Sequence, residues 1–183
     1  CYDTTMNRLV TGGAGYIGAH AVRQLIQAGH GVVVIDNLTT GKKNNLPDSV
    51  ELVEADFVDL KALKKIFSKS SKLPIDAVMH FAASIDLNES IEKPLEYLEN
   101  NTLKTAVLVQ VMLEHGVTKL IFSSTAAIYG RQEIMPIPET AKGSDLAPYG
   151  LSKQLSEDLI KAYSQSAGLD CIVFRYFNAA GSD

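Results

Sequence analysis

The chain contains no tryptophan, only two cysteines, and no apolar stretch near the roughly eighteen residues that a membrane-crossing helix needs. Cys1 and Cys171 stand at opposite ends of the sequence and give neither a disulfide framework nor a metal-ligand spacing. Cys171 falls inside the apolar run Cys171-Ile172-Val173-Phe174, which predicts a packing role. Positive charge is also scarce: 21 acidic residues against 17 basic ones leave a net charge of −4, with no clustered Lys/Arg face to meet nucleic acid. The densest basic stretch, Lys61 to Lys72, is spaced like the solvent side of a helix. The N-terminus lacks the apolar core of a secretion signal. These absences argue against nucleic-acid and membrane partners and predict a soluble, cytoplasmic protein without a metal. Cys1-Tyr2-Asp3-Thr4-Thr5 has no initiator Met and reads as extraneous, so that the fold is expected to begin at Met6.

What is present is ordinary globular composition, 46% hydrophobic over 183 residues, enough for one domain with a core but not for two of full size. Short apolar runs alternate with longer helical patterns. Strands are predicted at Arg8–Thr11, Val32–Asp36, Val50–Glu54, Ala77–Phe81, Lys119–Ser123 and Cys171–Arg175. Helices are predicted at Tyr16–Ala28, Leu60–Ser68, Pro94–His115 and Tyr149–Ala167, the first ended by Gly29. This alternation predicts an α/β fold, a doubly wound parallel sheet of the Rossmann type with helices on both faces. The irregular stretch from Gly130 to Pro148, with Pro136, Pro138 and Pro148, is long enough to be a functional loop.

Thr11-Gly12-Gly13-Ala14-Gly15-Tyr16-Ile17-Gly18 follows the first strand and opens the first helix. Glycines there let backbone N–H groups approach a pyrophosphate, and the helix N-terminus adds partial positive charge. Asp36 ends the second strand 18 residues past Gly18. A carboxylate at that place accepts the ribose hydroxyls and repels a 2′-phosphate, so NAD is expected rather than NADP. Asp56 could accept from the adenine amino group, or share the start of a helix with Asp59. His80-Phe81-Ala82-Ala83 ends the fourth strand in small residues that allow close backbone approach, with His80 expected as a buried structural histidine.

The second signal is Tyr149-Gly150-Leu151-Ser152-Lys153. On a helix, positions i and i+4 share a face, so the phenol and the ammonium project toward one site. A nearby positive charge lowers a tyrosine from its usual value near 10 and makes it a usable base. Ser123-Ser124-Thr125-Ala126 closes the fifth strand at the sheet's carboxyl edge, where open α/β sheets bind ligands. Thr125 is the favoured hydroxyl for the reacting oxygen, and Ser124 is expected near it or toward the cofactor.

Together Thr11–Gly18, Asp36-Asn37, His80–Ala83, Asn100-Asn101, Ser123–Gly130, Tyr149–Lys153 and Arg175-Tyr176-Phe177-Asn178 resemble the extended short-chain dehydrogenases. Within them the chain is most similar to the UDP-glucose (UDP-galactose) 4-epimerases, from about Met6 to Gly181. The resemblance implies Tyr149 as base, Lys153 as the ribose-binding cation and Thr125 as proton relay. It implies a cofactor set of Gly12, Gly15, Tyr16, Ile17, Gly18, Asp36, Asn37, Asp56, Phe57, Phe81, Ala82, Ala83, Ser123, Tyr149 and Lys153, with Asn101 and Tyr176 on the nicotinamide side. For the UDP-sugar it implies Ser124, Thr125, Tyr149 and Asn178. Ile85 stands where many of these epimerases carry a lysine. Ala126-Ala127 stands where the similar sugar dehydratases carry an acid–base pair, which disfavours dehydration. A nucleotide-sugar decarboxylase or reductase, or a non-catalytic NAD-binding module, are the alternatives.

Members of the resembling family continue past Arg-Tyr-Phe-Asn into a substrate domain. The 183 residues are therefore expected to be the cofactor half, with little activity alone. The family pairs its long helices in a homodimer. Leu95, Leu98, Thr102, Thr105, Val109 and Met112 repeat along the first such helix here, with Val107, Leu108 and Val111 on other faces. Leu151, Leu155, Leu159, Ala162 and Tyr163 repeat along the second. Apolar residues on more than one face ask for a second covering surface.

Overall fold

A computed structural model describes residues 5–68, 70–141 and 143–181. Cys1 and most of the expected N-terminal addition lie outside the described residues, as do Ser182 and Asp183. Six parallel strands form one sheet: β1 (Asn7–Thr11), β2 (Gly31–Asp36), β3 (Glu51–Glu54), β4 (Ala77–His80), β5 (Lys119–Thr125) and β6 (Asp170–Tyr176). Their order is β3-β2-β1-β4-β5-β6. The chain winds outward twice from the β1–β4 junction, as the alternating pattern predicts for a Rossmann-type sheet.

Helices cover both faces. Helix α1 (Tyr16–Gln27) lies on one face, where Val22 joins Val10, Val32 and Val34 in a small cluster. Helices α2 (Leu60–Ile66), α5 (Lys104–Glu114) and α6 (Pro148–Ala167) lie on the other, where Leu63, Leu108, Met112 and Ile160 meet Leu9, Ile35, Val78 and Phe122. β2, Gly31-Val32-Val33-Val34-Ile35-Asp36, reads as a near-continuous apolar run because both of its faces are covered. Asp59 caps α2, its Oδ1 accepting from the Lys61 and Ala62 N–H groups at 2.9 and 3.0 Å. Cys171 packs half-buried against the larger core cluster.

Three local features differ from expectation. β5 runs two residues further, to Thr125, because Ser123, Ser124 and Thr125 pair with Phe174, Arg175 and Tyr176 of β6. The segment before Pro94 holds a short helix α3 (Leu87–Glu92), started by Asp86, whose Oδ1 accepts from the Glu89 N–H at 2.9 Å. The expected single helix from Pro94 is α4 (Pro94–Leu98) joined to α5 by a π-helical turn at Glu99–Leu103. That turn changes the helical phase. Thr102, Thr105, Val109 and Met112 of the expected stripe are buried within the chain, and so are Leu108 and Val111, while Leu95 and Leu103 are exposed.

Among the described residues, no helix is long and apolar enough to cross a membrane, and no group of three or more His, Cys, Asp or Glu could hold a metal. Leu108 is fully buried between α5 and the sheet. Leu108→Ala should cost roughly 2–5 kcal/mol by chemical denaturation. A loss below about 1 kcal/mol would contradict its place in the core.

Candidate active site

The sheet's carboxyl edge opens where the strand order reverses, between β1 and β4. Gly12, directly after β1, has φ +66°, and a Cβ there would lie 2.6 Å from the Ala82 nitrogen. The turn and the Phe81–Ala82 backbone therefore touch without an intervening side chain. Gly18 makes the second close approach, since its Cβ would stand 2.2 Å from the Gly12 carbonyl oxygen. Helix α1 starts after Gly15 with no side-chain cap and no acidic residue in its first turn. Its leading N–H groups thus remain suited to an anion.

Asp36 stands beside this turn at the end of β2, buried, with Oδ2 accepting from the Ala14 N–H at 2.9 Å and Oδ1 from the Leu38 N–H at 2.8 Å. Each carboxylate oxygen keeps a lone pair for a further donor. Asn37 is exposed and uses its Oδ1 for Thr39. Asp56 forms a 2.6 Å ion pair with Lys104 and accepts from the Val58 N–H, so it is a braced carboxylate rather than a helix cap. Phe57 is buried, its ring against His80 at 4.9 Å. Ile17, Phe81, Ala82 and Ala83 are half-buried along the two walls. The Tyr16 hydroxyl donates to the Gly181 carbonyl.

On the other side of the cleft, α6 carries Tyr149, Lys153 and Glu157 at successive four-residue steps, one helical face. Tyr149 is half-buried, edge-on to Tyr97 at 6.5 Å. Burial pushes its phenol above the usual value, and hydrogen bonding to Thr125 draws it partly back. Thr125 ends β5, and its Oγ1 also accepts from the Ala127 N–H at 3.1 Å. Lys153 is 2% exposed, donates to the Ser123 carbonyl at 2.9 Å and sits 4.7 Å over the Phe122 ring. Burial drives its ammonium down to about 7, opposed by Glu157. The drop expected from Lys153 does not act on the phenol here: burial dominates and the Thr125 hydrogen bond opposes it.

Two of the expected site residues are engaged by internal hydrogen bonds. The Asn101 amide is fully spent inside the protein: Oδ1 accepts from Ser84 N–H at 2.9 Å, and Nδ2 donates to the Ser84 carbonyl at 2.9 Å and to Ser152 Oγ at 3.1 Å. It braces the strand-end loop through Ser84 and ties it to Ser152 of α6. Ser124 donates to Glu157, which also takes Arg175 Nη2 at 2.8 Å. Its hydroxyl is thereby engaged by that part-buried pair. Tyr176 is half-buried on β6, and Asn178 is exposed beyond it. Sequence reasoning missed Lys104, Ser84, Ser152 and Glu157; the four-residue step from Lys153 was the available signal for Glu157. A cavity of about 560 Å³ between α6 and β6 is lined by Glu139, Glu157 and Arg175 among others, and by neither Tyr149 nor Lys153.

A parallel sheet wound this way, with a glycine turn, an acidic second strand end and a Tyr-x-x-x-Lys helix, defines a Rossmann-type dinucleotide-binding domain. The chain belongs to the NAD dependent epimerase/dehydratase family, whose sequence profile matches residues 8–183. It is 43% identical over 175 residues to a UDP-glucose 4-epimerase of Azospirillum brasilense, covering 96% of this chain and 49% of that protein. It is 41% identical over 184 residues to UDP-arabinose 4-epimerase 1 of Arabidopsis thaliana, covering 96% of this chain and 43% of that one. The crystal structure of UDP-glucose 4-epimerase from Brucella ovis in complex with NAD superposes with a TM-score of 0.91 at 37% identity, covering 98% of this chain and 54% of that one. The chain thus spans about half the length of the relatives it matches.

Lys153 carries a pH dependence. Its value of about 7 lies below the ordinary 10.5, so between these values the unfolded chain holds a proton that the folded chain has released. Stability from this group therefore rises with pH across that window. Lys153→Met removes the titration. Wild type should gain on the variant as pH rises from 7 to 10, by at most about 1.4 kcal/mol per unit. A difference that stays flat would mean that the amine is not desolvated.

Proposed function

We propose that this chain is the cofactor-binding, proton-transferring half of an NAD-dependent UDP-sugar 4-epimerase. The observation that carries the reading is Tyr149 beside Thr125 at the same sheet edge as the uncapped glycine turn and Asp36. The residues fit NAD. The α1 N-terminus takes the pyrophosphate without a competing side chain, and Asp36 takes the ribose and disfavours a 2′-phosphate. Lys153 holds the second ribose on the Tyr149 side. When bound, NAD supplies the acceptor and later the donor of a hydride, and a positive ring beside the phenol.

Tyr149 takes the proton of the sugar 4-hydroxyl, with Thr125 bonded to that phenol and able to relay the proton. Loss of hydride from C4 leaves a 4-keto sugar, which accepts hydride on its other face and recovers a proton from Tyr149. Ala126 and Ala127, next to Thr125, have no group to move protons, so the ketone is not carried on to dehydration. The named relatives act on UDP-glucose and UDP-arabinose, and the sugar proposed here is a UDP-hexose of the glucose/galactose type. Because the chain corresponds to only half of those proteins, the 183 residues alone should show little turnover.

The test is conversion of UDP-galactose to UDP-glucose by the complete protein. Tyr149→Phe should lower the rate roughly 10²–10⁴-fold, the range of a positioned acid–base group. Near-wild-type turnover of the variant would remove Tyr149 from the chemistry.

The homodimer is a proposal on the same footing. Leu95, Leu103 and Val107 are 76, 61 and 37% exposed on the α4–α5 side, and Leu151 and Leu155 are 39 and 40% exposed on α6, which packs against it. A symmetric pairing of these two helices would cover them. Light scattering at micromolar concentration should give a dimer mass, reduced to monomer by Leu103→Glu with Leu155→Glu. A monomer mass for the wild type would sink the dimer.

A further inference from the structure

Where β1, β4 and α5 meet, the core holds a histidine in place of an aliphatic residue. His80 ends β4, is 1% exposed, and lies between the rings of Phe57 and Phe122 at 4.9 and 5.7 Å. Its Nδ1 is 2.6 Å from Thr11 Oγ1, and its Nε2 is 2.9 Å from Thr105 Oγ1. The Thr105 hydroxyl donates to the Asn101 carbonyl at 2.6 Å. Its single hydrogen is thereby spent, so toward the imidazole it can only accept, and Nε2 carries the ring proton. Nδ1 is then the acceptor and Thr11 the donor, while Thr11 Oγ1 receives the Ala82 N–H at 3.4 Å. Burial, with the charge of Lys153, pushes the imidazolium down to about 3, which keeps the ring neutral.

The two ends of this bridge are the two sides of the cleft. Thr11 precedes Gly12, whose backbone rests on Ala82. The Asn101 carbonyl, in the π turn, also accepts from Ser156 Oγ at 3.0 Å, on the helix that carries Tyr149 and Lys153. Apolar side chains of similar shape at all three positions would fill the same space with no buried side-chain polar group to satisfy, and such replacements can be nearly neutral or stabilising. The bridge is therefore better explained by the geometry it imposes than by stability.

We propose that His80 is a positioning residue, whose bridge from Thr11 to Thr105 fixes the glycine turn at its working distance from the π turn and the Tyr149–Lys153 helix. The proposal rests on the NAD-dependent reading above. Its test is NAD titration of the 183-residue chain by calorimetry, at a temperature where circular dichroism shows each variant fully folded. Thr105→Val keeps the shape and removes the hydroxyl, and should weaken NAD about tenfold, the order of one buried hydrogen bond. Thr105→Ser restores the hydroxyl and should bind within about twofold of wild type. If Thr105→Val does not fold, the triple variant Thr11→Val, His80→Leu, Thr105→Val, which leaves no orphaned imidazole, should fold and show the same weakening. Nitrogen-15 spectra of wild type should report a neutral His80 protonated at Nε2.

Wild-type affinity in folded Thr105→Val or in the triple variant would overturn the proposal alone. So would equal loss in Thr105→Val and Thr105→Ser, or a proton on Nδ1. Failure of the wild type to bind NAD would overturn the reading beneath it, and this proposal with it.

Discussion

The contact on which the site depends is between two stretches of backbone. Gly12 turns out of β1 at φ +66° with its missing side chain aimed at Ala82, 2.6 Å from where a Cβ would lie. Only glycine permits this, because an L-residue would be strained in the left-handed region and would also push the β4 end away. Everything else at the edge is measured from that contact. The α1 N-terminus follows it, Asp36 accepts from Ala14 within the turn, and the β1–β4 reversal of strand order opens the crevice beside it. A sheet built from the same strands without this approach would have the fold but no narrow seat for a pyrophosphate.

Much of this was legible in the sequence, because its causes are local. Glycines between a strand and a helix, an aspartate closing the second strand, and tyrosine and lysine one helical turn apart are patterns of neighbouring residues. The reading failed where a side chain's partner is distant in the chain. Asn101 is conspicuous as a polar residue in an apolar helix, yet only the fold shows that Ser84 and Ser152 exhaust its amide. Ser124 and Thr125 are adjacent hydroxyls, and the pleat alone sends them different ways, one to Glu157 and one toward Tyr149. The π turn at Glu99–Leu103 has no composition signal, but it changes which face of the following helix is buried. Of the expected apolar stripe, Thr102, Thr105, Val109 and Met112 belong to the core, while Leu95 before the turn is exposed.

The helix bearing Tyr149 is held by polar contacts to an unusual degree. Thr102 donates to the Ser152 carbonyl at 2.8 Å, and Ser156 reaches both that carbonyl and the Asn101 carbonyl. Such bonds are directional, whereas apolar packing tolerates small slides. Angular restraint of this kind fixes where α6 presents Tyr149 and Lys153 more tightly than additional burial would.

The same burial sets the charge state of the site. It raises Tyr149 and lowers Lys153, so both shifts favour the uncharged phenol and the uncharged amine. The two residues at rest are not the phenolate–ammonium pair that their spacing suggests. Glu157 is the one carboxylate on the same helical face that opposes this for Lys153, and it is shared with Arg175 and Ser124. The amine is consequently left near 7, where a modest change in its surroundings switches its charge. A group poised at that point responds to whatever charge and hydroxyls enter the cleft, which a fully ionised lysine on the surface would not do. Burial thus leaves the charge of Lys153, more than that of Tyr149, open to change when the cleft is occupied.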